Sequence, residues 1–180
     1  MSWYETVFEV IDMRSFSNLW FWIALAVLWS SVSHWVLGVP FDMITRARRT
    51  PKDEADTEAI DDLNDLVRIN VNRILYISDV SGAWLLLIGS AVLTALTVMS
   101  TLYNVEFAQA VLLLSLPMSF VGALSLRTAR KIRQNGEEGK PLIKRLMMHR
   151  FYTQLIGVVS IFVTAMYGMY KNLYVSPLGF

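Results

Sequence analysis

The chain has 180 residues, 54% of them hydrophobic, and 16 Lys and Arg against 15 Asp and Glu leave a formal charge of +1. It has no cysteine, which excludes structural disulfides, thiolate metal sites, cysteine nucleophiles and an iron–sulfur cluster held by its own thiolates. Two histidines are too few for an ordinary His-based metal or haem site in one chain, so no cofactor is expected.

The first 18 residues, MSWYETVFEVIDMRSFSN, are net acidic. An apolar segment follows from about Leu19 to Gly38, LWFWIALAVLWSSVSHWVLG. A cleavable signal would have a basic start and a small-residue cleavage site, so this segment is read as a membrane pass. Its Trp20, Trp22, Trp29 and Trp35 suit membrane interfaces and lipid-facing surface. His34, near its end, is a titratable group that can relay protons or simply bond a neighbouring hydroxyl or carboxylate.

Residues 39–79 are polar and open with the basic cluster Arg46, Arg48 and Arg49. Short and close to an apolar segment, this cluster fits lipid phosphates and not nucleic acid. Thr50-Pro51-Lys52-Asp53 predicts a helix start, with Thr50 as N-cap and Pro51 in the first turn. Asp53, Glu54, Asp56 and Glu58 favour the positive end of that helix. Ile60, Leu63, Val67, Val71 and Ile74 then recur at helical spacing and form one apolar face. With no breaker in between, a single helix is predicted from about Pro51 to Leu102.

The second apolar segment, about Val80 to Leu102, carries Ser90, Thr94, Thr97 and Thr101 on one helix face. Such a stripe lines a pore or bonds back to its own carbonyls while helices pack. Asp79 and Glu106 stand at its two ends and would be the mouths of an ion pathway, with Asp79 within reach of Arg73, His34 or a basic residue of the next helix.

After the short turn Tyr103–Glu106 comes the third segment, about Phe107 to Leu126. Pro117 is expected to kink it, and Ser115, Ser119 and Gly122 form a small-residue packing stripe. Arg127, Arg130, Lys131 and Arg133 continue the helix as a basic collar for anionic headgroups or a partner. Asn135-Gly136 predicts its end, Glu137-Glu138-Gly139 a tip, and Pro141 the start of the last helix. The acidic helix start at Asp53–Glu58 is expected to neutralise the basic collar. The fourth segment, about Phe151 to Tyr170, has a second packing stripe of Thr153, Gly157, Ser160, Thr164 and Gly168.

Each of the four segments has about 20 residues, enough to cross a ~30 Å hydrocarbon layer. Fourteen of the sixteen Lys and Arg lie in the two stretches 39–79 and 127–150, leaving only Arg14 and Lys171 outside them. Basic loops stay cytoplasmic, so both termini are predicted periplasmic in a bacterial inner membrane.

The stretches SFSNLWFWIALAVLWSSVSHWVLGVPFDM, DLVRINVNRILYISDVSG, VEFAQAV and HRFYTQLIGVVSIFVTAMYGM resemble a family of small four-pass inner-membrane proteins of alphaproteobacteria. Members often carry the name of a component of the SufBCD iron–sulfur assembly complex. The resemblance implies a bacterial inner-membrane location and supplies no catalytic residues.

The sequence has no phosphate loop, nucleophile elbow or zinc-protease motif, so a non-enzymatic role is expected. The expected fold is all-α, an integral membrane four-helix bundle with cytoplasmic helical extensions. Four helices bury little protein surface in lipid, so a homo-oligomer or a complex with other membrane subunits is expected. Two functions follow: a scaffold or accessory subunit, or a homo-oligomeric ion channel lined by the second segment.

Overall fold

The computed structural model describes residues 15–17, 19–49 and 54–175. A 3-10 turn at Ser15–Ser17 leads into helix α1 (Leu19–His34). A two-residue hairpin, β1 (Trp35–Val36) and β2 (Val39–Pro40), joins it to α2 (Phe41–Arg49). Three long helices complete the chain: α3 (Glu54–Thr101), α4 (Glu106–Asn135) and α5 (Gly139–Val175). The described chain is therefore all-α apart from the hairpin.

The long helices follow the patterns that predict them. α3 runs unbroken for 48 residues, about 72 Å at helical rise. The capping signal Thr50–Asp53 lies outside the described residues. α4 stops at Asn135, and Gly136 follows with φ +57°, the left-handed geometry that ends a helix. Pro117 sits inside α4 without ending it. The Ser115 hydroxyl reaches the Leu112 carbonyl at 3.4 Å, one residue short of the Leu113 carbonyl that Pro117 frees.

The first apolar segment departs from expectation. Its helix ends at His34, because Leu37 (φ +53°) and Gly38 (φ +77°) form a tight turn that reverses the chain. Leu37 is strained there and is held by burial of its side chain. Asn70 of α3 donates to the Gly38 carbonyl at 3.2 Å and packs where a Cβ on Gly38 would stand. By length and composition α3, α4 and α5 can each cross a membrane. α1, with 16 residues, spans about 24 Å and falls short of the ~30 Å layer.

The chain divides into two compact units. The unit made of residues 30–86 and 120–155 has a core like that of a water-soluble protein. Leu63, Val67, Val71 and Leu75 of α3 meet Ala129 and Ile132 of α4, Leu142 and Leu146 of α5, Ile44 of α2 and the hairpin. The apolar face predicted from Ile60 to Ile74 is the α3 contribution to this core.

The other unit comprises residues 1–29, 87–119 and 156–180. It buries little apolar area: Phe16, Phe21 and Ala110 form its centre, with Trp20, Trp22 and Tyr167 alongside. Small and polar residues face inward, including Ser160 and Thr164, while Val158, Phe162 and Leu173 are exposed. The stripe Gly157, Ser160, Thr164 and Gly168 of α5 is buried, and α1 lies along it. Trp29 sits on Gly157, where a Cβ would come within 2.8 Å of the indole, and Trp22 and Phe16 sit on Gly168. Residues 16–29 thus track 168–157 in the opposite direction. The expectation of lipid-facing indoles in this stretch is corrected: Trp29 is buried, Trp20 and Trp22 are half-buried, and only Trp35, in the hairpin, is exposed. Glycines on α5 leave room for a ring to approach the helix backbone, and α1 supplies the rings.

Candidate functional site

The predicted polar stripe is a stripe in the structure. Ser90, Thr94, Thr97 and Thr101 are all exposed on α3. Three of these hydroxyls donate to their own helix: Ser90 to Leu87 at 3.0 Å, Thr97 to Leu93 and Thr101 to Thr97, both at 2.7 Å. Each then offers only oxygen lone pairs outward. The surrounding helix is equally open. From 76 to 101 no residue is buried, and a Cβ on Gly89 would meet nothing within 4 Å. On α4 the Ser115, Ser119 and Gly122 stripe differs from expectation, with Ser119 and Gly122 exposed instead of packed.

The proposed mouths are occupied differently. Glu106 opens α4 and accepts a 2.8 Å bond from the backbone N–H of Phe16, so it caps the turn that precedes α1. Nearby, Gln109 donates to the Ser100 carbonyl at 3.0 Å and ties the α3–α4 connection. Asp79 is exposed, and the basic side chain reaching its turn of helix, Arg130, bonds Ser78 at 3.4 Å instead. His34 is exposed and stacks edge-on against Trp35.

The cationic residues decorate the outside of the soluble-type core. Arg46, Arg48 and Arg49 are exposed on α2, whose Ile44 and Ala47 point inward. Arg127, Arg130, Lys131 and Arg133 are exposed on α4, whose Thr128, Ala129 and Ile132 are buried. The acidic residues Glu58, Asp61 and Asp62 are exposed as well.

Of the acidic helix start expected to neutralise the basic collar, the side chains of 53–57 lie outside the described residues; the described charges around the core include local pairs. Asp65 bonds Arg68 one turn away at 2.8 Å. Glu137 holds Arg145 through both carboxylate oxygens and accepts from Asn135 at 2.9 Å. The Arg145 hydrogen bonds keep the Glu137 carboxyl below the usual carboxylate range, against a smaller opposing effect of burial. Asn64 of α3 accepts the backbone N–H of Gly139 at 3.0 Å, so the tip between α4 and α5 is fastened to α3. Sequence spacing gave no sign of the Glu137–Arg145 and Asn64–Gly139 contacts, which join residues of different elements.

A cleft of about 370 Å³ opens in the same unit, and sequence reasoning did not single it out. Val32, Trp35, Leu37, Ile74 and Val121 form its apolar walls, and Ser125, His149 and Thr153 supply polar atoms. His149 is 5% exposed and Thr153 4%. His149 Nδ1 lies 3.2 Å from Thr128 Oγ1, and Nε2 lies 3.5 Å from Ser125 Oγ. Both hydroxyls already donate to carbonyls of α4, Thr128 to Leu124 at 2.8 Å and Ser125 to Val121 at 2.9 Å. A hydroxyl has one proton, so toward His149 both can only accept. The Thr153 hydroxyl has no partner. The available sequence signal was the i, i+4 pair His149 and Thr153, which shares one face of α5.

Among the described residues no group of three or more His, Asp or Glu side chains is placed to hold a metal. No family model, curated protein or solved structure matches the chain.

Proposed function

We propose that this protein is a four-pass bacterial inner-membrane scaffold or accessory subunit, without catalytic activity, that assembles with copies of itself or with other membrane subunits. The observation that carries this reading is the open half of α3: from 76 to 101 no residue is buried. A largely apolar stretch of helix with no buried residue needs lipid or another chain beside it. Gly89 and the hydroxyls of Ser90, Thr97 and Thr101, already satisfied internally, suit close helix approach.

α1 supplies the fourth, short pass. Its helix is only 16 residues long, but residues 16–29 run beside 168–157 of the long apolar α5. The fourteen Lys and Arg of the two polar stretches then mark the cytoplasmic side and leave both termini periplasmic. Arg46, Arg48 and Arg49 with Arg127, Arg130, Lys131 and Arg133 meet anionic lipid heads there.

A second reading is a ring of copies in which Ser90, Thr94, Thr97 and Thr101 line an ion pathway. It is favoured by the exposure of all four on one face of α3.

The test is native mass spectrometry of the full chain, extracted mildly with its lipids, alongside a Gly89→Trp, Thr97→Trp double variant. Assembly is expected for the natural chain, and its loss for the variant. Thr94→Val with Thr97→Val separates the two readings: a scaffold keeps its mass and has no conductance to lose, whereas a pore of this lining loses or changes conductance. A natural chain that remains a monomer with lipid alone would sink both.

A further inference from the structure

The cleft beside His149 has two hydrogen-bonding positions that the protein leaves unfilled, and they have opposite character. No Asp, Glu, Lys or Arg lines it, so nothing there pairs a charge. A neutral imidazole carries one N–H. The shorter contact, 3.2 Å to Thr128 Oγ1, claims it for Nδ1, because Thr128 can only accept. Nε2 is then a lone-pair acceptor, and its neighbour Ser125 has already given its proton to Val121. One turn further along α5, Thr153 Oγ1 is buried with no partner and retains a proton to donate.

Buried polar groups are normally satisfied, and leaving them unmade is costly. Here an unmet acceptor and an unmet donor share one helix face, their Cβ atoms about 5–6 Å apart by the i, i+4 relation. One ligand group that both donates and accepts meets both needs, and a hydroxyl is the simplest such group. The remaining walls, Val32, Trp35, Leu37 and Val121, are apolar and suit a hydrocarbon body. The volume of about 370 Å³ is within the range of small-molecule sites.

We infer that this cleft binds an uncharged long-chain amphiphile with a hydroxyl head, the hydroxyl donating to His149 Nε2 and accepting from Thr153 Oγ1. A charged head is excluded because the cleft has no counter-charge to offset its desolvation. The inference does not depend on whether the chain acts as a scaffold or a channel.

The experiment titrates delipidated full-length protein in detergent with 1-monooleoylglycerol and, separately, with 1-dodecanol, counting bound molecules by native mass spectrometry. One saturable equivalent is expected. Thr153→Val removes an unpartnered hydroxyl at nearly constant shape, so it should leave thermal stability unchanged and weaken binding roughly fivefold, the worth of one hydrogen bond. The methyl ether of 1-dodecanol, which cannot donate to Nε2, should bind more weakly by a similar factor. Val32→Trp, which fills the cleft, should abolish the saturable site. Binding of both probes assigns the site to long-chain hydroxyls in general, and binding of monooleoylglycerol alone assigns it to glycerolipids. Failure of both probes to bind, or binding indifferent to Thr153→Val and to methylation, would overturn the inference.

Discussion

Along α3, Leu63, Val67, Val71 and Leu75 are buried and their neighbours Asp61, Asp62, Asp65 and Arg68 are exposed. Further along the same helix Trp84, Leu85, Leu86, Leu87 and Ile88 are exposed and nothing is buried. The two compact units repeat this contrast. One buries aliphatic side chains and shows Arg46, Arg48, Arg49, Arg127, Arg130, Lys131 and Arg133 on its surface. The other buries Ser160, Thr164, Gln109 and glycine faces, and shows hydrocarbon outward. In water, burial of aliphatic side chains such as these is driven by the hydrophobic effect. In lipid that force between helices vanishes, and close packing through small residues takes its place. One helix can serve both rules, because helical hydrogen bonding is satisfied locally in either solvent.

Substitutions that separate the two rules follow in decreasing size. Leu146→Ala empties a fully buried position of the soluble-type core and should cost about 2–5 kcal/mol in thermal or denaturant unfolding. The same truncation at exposed Val158 should change stability by less than about 0.5 kcal/mol. Phe162→Lys places a charge on the exposed apolar surface of α5. If that surface faces lipid, insertion should become less favourable by about 3 kcal/mol, read from the inserted fraction in a glycosylation-reporter assay. Unchanged insertion would mean that Phe162 faces water, and the contrast between the units would fail there.

Gly157→Ala is expected to cost about 1–3 kcal/mol, since the new methyl would meet the Trp29 ring. Gly122→Ala, with open space around it, should be neutral or slightly stabilising in the isolated chain. A Gly122→Ala change that instead breaks an assembly would place a neighbouring chain on that face of α4.

The smallest effect is pH-dependent. The folded-state pKa of Glu137 is lowered, so its pairing with Arg145 stabilises the tip above the ordinary carboxylate range. That contribution is lost as pH falls through the lowered value. Glu137→Gln should therefore lower the unfolding temperature at neutral pH and remove the acid-sensitive part of the stability curve. A curve of unchanged shape would show that the ion pair does not contribute.

Much of the architecture was legible in the sequence because its causes are local. Helix periodicity from Ile60 to Ile74, apolar length, and the Asn135-Gly136 stop each depend on a few neighbouring residues. The packing role of Gly157, Ser160, Thr164 and Gly168 was also legible, since small residues at that spacing have few other uses in an apolar helix. The Ser119 and Gly122 stripe shows the limit: its pattern is the same, but which stripe is covered within one chain depends on where the other helices lie.

What the sequence determined by itself is the set of helices, their apolar lengths and the segregation of charge, all properties of short-range chemistry and solvent preference. Tertiary structure alone decided three things. Leu37-Gly38 turns the chain and shortens α1, because Asn70 waits on α3 and the Leu37 side chain has a core to enter. The Trp-rich face of α1 turns inward, because α5 presents glycines to receive the rings. His149, Thr128, Ser125 and Thr153 come from two helices, with protons already committed along α4. Whether a histidine is satisfied or left with an open lone pair depends on which hydroxyls surround it and where their protons go. No linear spacing carries that information.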